Sequence, residues 1–160
     1  MEKQLDLDSL NIKNIVFFDS SCNFENFKKE FEKSDLIITF DYLSHKLLSS
    51  KKIHHEISDN YLTKSDLSLI QNKSYYFSEW YSNDSLKKIL NYEGVNLGEL
   101  YYAELHYFLV PFLKKLLEIH KISSQFIDSN FISSGILHQI IKNYSKNSIE
   151  IQTNNKSSEE

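Results

Sequence analysis

Short apolar runs that end in an acidic or amide residue recur along the chain, each followed by a segment of helical character. Ile15-Val-Phe-Phe-Asp19 is the first, Leu36-Ile-Ile-Thr-Phe-Asp41 the second, and Phe126-Ile-Asp128-Ser-Asn130 a weaker third. Strands that alternate with helices build a parallel sheet wrapped by helices. The expected fold is therefore α/β, a three-layer sandwich around a mostly parallel sheet of about five strands, a usual size. In open sheets of this kind ligands bind beyond the carboxyl ends of the strands. Asp19, Asp41 and Asp128 are expected there.

The segments between the runs fit this plan. Four consecutive apolar residues at 15–18 suggest a strand buried on both faces. Ser20, Ser21 and Asn23 offer helix caps, and Phe24, Phe27 and Phe31 then recur at helical spacing between charged residues. Residues 42–50 read as a short helix. Ile53, His55 and Ile57 alternate with other residues, as in a half-exposed strand. Thr63 or Ser65 caps a further helix. Residues 73–85, with Tyr75, Tyr76, Phe77, Trp80 and Tyr81, form the most aromatic stretch. Asn83-Asp84-Ser85 reads as the cap of another helix, and Gly94 and Gly98 punctuate a turn. A long helix is expected over 97–122, kinked by Pro111, because Tyr107 loses its backbone partner there. A strand at 125–128, a helix at 131–144 and a last strand at 148–152 complete the order. Residues 1–13 read as a polar lead-in, 14–152 as one domain, and 153–160 as a polar tail or the start of an inter-domain linker.

Two apolar stripes run along the long helix. Leu105, Phe108, Phe112, Leu116 and Ile119 form one, and Leu109, Leu113 and Leu117 the other. A surface helix needs only one. The second implies a further cover: the Trp80 segment, a second domain or another subunit.

Composition narrows the chemistry. With 41% apolar and 14% aromatic residues the chain can bury a real core. Its net charge of −4 and lack of a basic stripe speak against nucleic acid as a partner. All 18 basic residues are Lys, so no guanidinium fork exists to grip phosphate or carboxylate. With three glycines, a phosphate-cradling glycine loop is nearly excluded, and neither the dinucleotide nor the P-loop pattern occurs. One cysteine, Cys22, excludes an internal disulfide, which fits a reducing, cytoplasmic setting. No apolar stretch reaches the roughly 18 residues of a membrane span, and no secretory leader is legible.

The titratable residues give surfaces rather than signatures. An acid at a strand's carboxyl end can bind a sugar hydroxyl or act as a base, and it can equally serve only as a cap. The haloacid-dehalogenase pattern of two Asp separated by one residue fails, since Asp19 is followed by Ser20 and Ser21. Receiver-domain phosphorylation lacks its acidic pair. Cys22 has no Arg six residues on, where a phosphatase loop needs one; that position is Lys28. His54 and His55 are adjacent and point apart in a strand. His106 and His120 are separated by about 21 Å along a helix. No metal site and no cofactor are expected. The ligand surface is assigned to Asp19, Ser20, Ser21, Asn23, Asp41, His45, Asp128 and Asn130, with His45 the best-placed single base.

The order of elements resembles the N-terminal, Rossmann-like half of two-domain, GT-B-type glycosyltransferases of surface-polysaccharide synthesis. What carries it is the Asp-tipped first strand, the inserted aromatic segment with Trp80-Tyr81, and Tyr92-Glu-Gly-Val-Asn-Leu-Gly-Glu-Leu100 leading into the long helix. The strand and helix after Phe126 complete it. The resemblance covers roughly residues 14–152. It implies an acceptor-side domain for a sugar or lipid-linked sugar, with the nucleotide-sugar donor held by a C-terminal domain beyond this chain. Two other readings stand beside it: a non-catalytic interaction module pairing through the long helix, as in a homodimer, and a small enzyme for a nucleotide or phosphorylated ligand.

Overall fold

A computed structural model describes residues 12–152. The lead-in up to residue 11 and the tail from Thr153 lie outside the described residues. The described chain divides into two compact units, one formed by 12–60 with 119–152 and the other by 61–118.

The first unit holds a five-stranded sheet. Its strands are β1 (Asn14–Phe18), β2 (Leu36–Thr39), β3 (Glu56–Ile57), β6 (Asn130–Ser133) and β7 (Ser148–Glu150), in the order β3-β2-β1-β6-β7. Every pairing is parallel. The expected α/β fold, a Rossmann-like parallel sheet flanked by helices, is what the chain adopts. β1 pairs with β2 from Ile15↔Leu36 to Phe18↔Thr39 and with β6 from Asn14↔Asn130 to Val16↔Ile132. Helix α1 (Phe24–Lys33) joins β1 to β2, and α2 (Tyr42–Ser50) joins β2 to β3. The chain then returns to the other side of β1, and α6 (Gly135–Ile141) joins β6 to β7. Right-handed crossovers place α1 and α2 on one face and α6 on the other.

The core follows from the apolar run of β1. Ile15, Val16, Phe17 and Phe18 are all fully buried. Side chains alternate across a strand. Phe18 packs edge-on against Phe27 and Phe31 of α1, at ring separations of 5.4 and 5.2 Å. Phe17 meets Phe40 and Phe131 at 5.0 and 5.3 Å. Each fully buried Phe contributes roughly 1.5–3 kcal/mol of apolar transfer.

The second unit contains α3 (Lys64–Ser78), α4 (Asp84–Leu90), the hairpin β4 (Asn91–Tyr92) and β5 (Val95–Asn96), and most of α5 (Tyr102–Gln125). Thr63 caps α3 with a reciprocal capping box to Asp66, and Asn83 caps α4. The hairpin turns at Glu93 and Gly94, both at positive φ (50° and 85°), as a two-residue primed turn requires. Pro111 sits inside α5. Pro111 and Tyr107 are both exposed, so water is at hand for the carbonyl that proline cannot satisfy. Neither apolar stripe of α5 is fully covered before Ile119: Phe108 is 60% exposed, and the other stripe residues are half-buried.

One expected strand is displaced. Gln125 ends α5, and 126–129 form a turn rather than a strand. Phe126 continues the buried helical row of Ile119 and Ile122, while Ile127 is 74% exposed. A helical period thus splits the pair that looked like a strand. The strand is Asn130-Phe131-Ile132-Ser133, and all but its first residue fall in the segment expected to be helical.

Candidate functional site

The order β3-β2-β1-β6-β7 reverses between β1 and β6, and at such a reversal the carboxyl ends of the strands open a crevice. Three strand ends meet there, and their loops are tied to one another by side chains.

Asp19 follows β1 directly and is 2% exposed. Its Oδ1 accepts from the Ser21 amide, the Ser21 hydroxyl and, at 3.5 Å, the Cys22 thiol. The carboxylate shapes the turn that leads into α1, where Asn23 caps by accepting from the Glu25 amide at 2.9 Å. Cys22 Sγ lies 3.2 Å from Ser134 Oγ, just beyond β6. Burial pushes the Cys22 thiol up; the amide and hydroxyl contacts pull the other way, and the Asp19 charge adds to the rise. A thiol held protonated is a poor nucleophile. Cys22 therefore serves as a small buried link between the β1 and β6 loops.

Asp41 lies two residues past β2. It caps α2 through Oδ1, which accepts from the Ser44 amide at 2.8 Å, and its Oδ2 accepts from the Ser20 amide at 2.7 Å. Burial raises its carboxyl, but the hydrogen bonds from Ser44 and Ser20 outweigh that and hold it below the usual Asp value. A row of linked groups thus runs from Ser44 through Asp41 and Ser20, then through Asp19, Ser21 and Cys22 to Ser134. Ser20, Ser21 and Asn23 are exposed along it.

The row has an extension on each side. On the β6–β7 side, Ser133 Oγ lies 3.3 Å from His138 Nδ1, and His138 Nε2 lies 3.8 Å from Glu150 Oε2. Serine, imidazole and carboxylate stand in file, but Ser133 is fully buried, out of reach of any substrate. On the β2–β3 side, His45 in α2 meets His55, which precedes β3.

Six of the eight residues expected at the ligand surface, Asp19, Ser20, Ser21, Asn23, Asp41 and His45, lie on the loops and helix starts beyond β1 and β2. Asp128 and Asn130 do not. Because β6 begins at Asn130, both sit at the amino ends of the strands, the opposite edge. There Asn130 Nδ2 donates to Asn14 Oδ1 at 3.0 Å, and Ser129 Oγ to the Ile12 carbonyl at 2.6 Å. These are bonds that pin the start of the sheet. The place expected of Asp128 is taken by Ser133 and Ser134. Their sequence signal was present, since Ser133-Ser134-Gly135 is a small polar run before a helix, much like Ser20-Ser21.

A hollow of about 340 Å³ in the first unit lies elsewhere, lined by Phe24, Phe31, Ile53, Lys28 and Lys51 among others. None of the linked row lines it, and Lys51 stands 4.4 Å over the Phe24 ring. Its lining places no base beside a hydroxyl. Among the described residues no three His, Cys, Asp or Glu gather as metal ligands, and no helix is long and apolar enough to cross a membrane. No family model, curated protein or solved structure matches the chain.

Proposed function

We propose that the carboxyl edge of β2, β1 and β6 binds a hydroxyl-rich, sugar-like ligand, and that the chain is the acceptor-side part of a glycosyltransferase-like protein of surface-glycan synthesis. The observation that carries this reading is the linked row at the strand reversal, with Ser20, Ser21 and Asn23 exposed along it. Hydroxyls and amides of this kind exchange hydrogen bonds with sugar hydroxyls without needing a counter-charge. The absence of Arg and of a glycine loop supports a neutral ligand over a phosphorylated one.

The test is a titration of the ¹⁵N-labelled full chain with glucose, galactose and N-acetylglucosamine, followed by amide spectra. Shifts centred on 20–23, 41–45 and 133–135 are expected. Shifts centred instead on Phe24, Phe31 and Ile53, or none with any sugar, overturn the reading. A response to uridine diphosphate alone favours a small nucleotide-binding enzyme.

A second reading is favoured by the second unit, which leaves Leu100, Tyr101, Tyr107 and Phe108 between 60% and 78% exposed. Clustered apolar exposure marks association surfaces. In this reading α5 pairs with a second copy of the chain. Light scattering during size-exclusion chromatography decides it: a dimer that Phe108→Lys converts to monomer supports it, and a wild-type monomer at high concentration removes it.

A further inference from the structure

His45 Nδ1 lies 2.8 Å from His55 Nε2, and His55 Nδ1 lies 2.8 Å from the Ile53 carbonyl oxygen. A carbonyl oxygen can only accept, so His55 Nδ1 carries a proton. In neutral His55 the other nitrogen, Nε2, is then an acceptor. His45 Nδ1 must donate to it, and neutral His45 is left with its lone pair on Nε2. The ring planes cross at 64° with centroids 5.0 Å apart, as suits an N–H aimed at an in-plane lone pair. His45 Nε2 makes no hydrogen bond to any described residue and is not sealed from solvent. His54 stays out of the pair and is exposed, as its place next to His55 in an extended segment dictates. His45 stands four residues, about 6 Å along the helix axis, from the N-cap Asp41. It is thus beside the linked row.

From this chain of donors we infer that His45 Nε2 is the hydrogen-bond and proton acceptor for a ligand hydroxyl at this edge, with His55 the positioning residue that selects the tautomer. On transfer the O–H bond breaks, its electron pair stays on oxygen, and the proton bonds to Nε2. The imidazolium so formed keeps its Nδ1–H bond to His55. The inference rests on the reading of the edge as a hydroxyl-binding surface, and the experiment has a readout that does not.

The full chain, ¹⁵N-labelled at histidine, is observed by long-range proton–nitrogen correlation at about pH 8, above the ordinary imidazole range. His45 is expected with Nδ1 protonated and Nε2 bare. His55→Phe should lose that preference, Nε2 becoming the protonated nitrogen. His55→Gln, whose Oε1 can still accept from Nδ1–H, should restore it. Backbone spectra of β1 and β2 show whether each variant is folded. A wild-type His45 protonated on Nε2, or a tautomer unmoved in folded His55→Phe, overturns the inference. N-acetylglucosamine is then added. A shift of His45 Nε2, with binding weakened several-fold in His55→Phe, supports the acceptor role. Shifts at 20–23 with His45 Nε2 unmoved overturn this inference alone; silence everywhere overturns it together with the binding reading.

Discussion

Asp41 commits both carboxylate oxygens to backbone amides, one at the start of α2 and one in the loop after β1. The two bonds can be separated by substitution. Asp41→Asn keeps an oxygen for Ser44 but turns an amide donor toward the Ser20 N–H; Asp41→Ala loses both. The alanine variant should lose roughly 1 kcal/mol of stability, the usual cost of an N-cap, and the asparagine variant less. The pH dependence follows from the lowered carboxyl. A group held below its ordinary 3.8 adds stability that is complete above that value and is lost as pH falls through the folded one. Urea midpoints measured between about pH 5 and pH 2 should therefore fall more steeply for the wild type than for either variant. That Asp41 would cap a helix could be read from its place before a helical segment. That its second oxygen would reach Ser20 could not, because that bond depends on the register of β1 against β2. His55 was hidden in the same way, since only the fold brings it to His45.

Among the elements, the apolar run at 15–18 and the phenylalanines at 24, 27 and 31 were legible because period and burial agree there. Residues 126–133 were not, because Phe126-Ile127 and Phe131-Ile132 are both short apolar pairs, and such pairs carry no period of their own. The length of α5 decides between them. It carries Phe126 to the buried side and releases the chain only in time for Asn130. Gly98 is a glycine whose role the sequence does not reveal. Its backbone is ordinary (φ −67°, ψ −29°), yet a Cβ there would overlap Tyr81 Cβ and stand 3.0 Å from Leu90 Cδ1. Tyr81 Cβ is attached to backbone and cannot swing away. Gly98→Ala should thus destabilise the second unit by about 1–3 kcal/mol, the cost of overpacking, measured as a loss of Tyr and Trp near-ultraviolet dichroism at lower denaturant. Gly94→Ala has open space and meets only the strain of its positive φ, so its cost should be near 1 kcal/mol.

For the whole molecule the core is unevenly shared. Among the described residues the buried hydrophobic side chains lie in the first unit, with Ile70 the exception in the second. Local stability follows buried apolar contact. In native-state hydrogen exchange, amides of Val16, Phe17 and Phe18 should be slowest, and those of α3 and α4 should exchange well before them. Equal protection in both units would contradict this. The sheet itself carries a further consequence. Its inner strands have four or five residues, while β3 has two and β7 three. The flanks of the sheet therefore display few free backbone groups to a passing strand, so the fold resists growth by strand addition and the runaway stacking that follows from it. Assembly across the flanks of this sheet would have to be written in side chains.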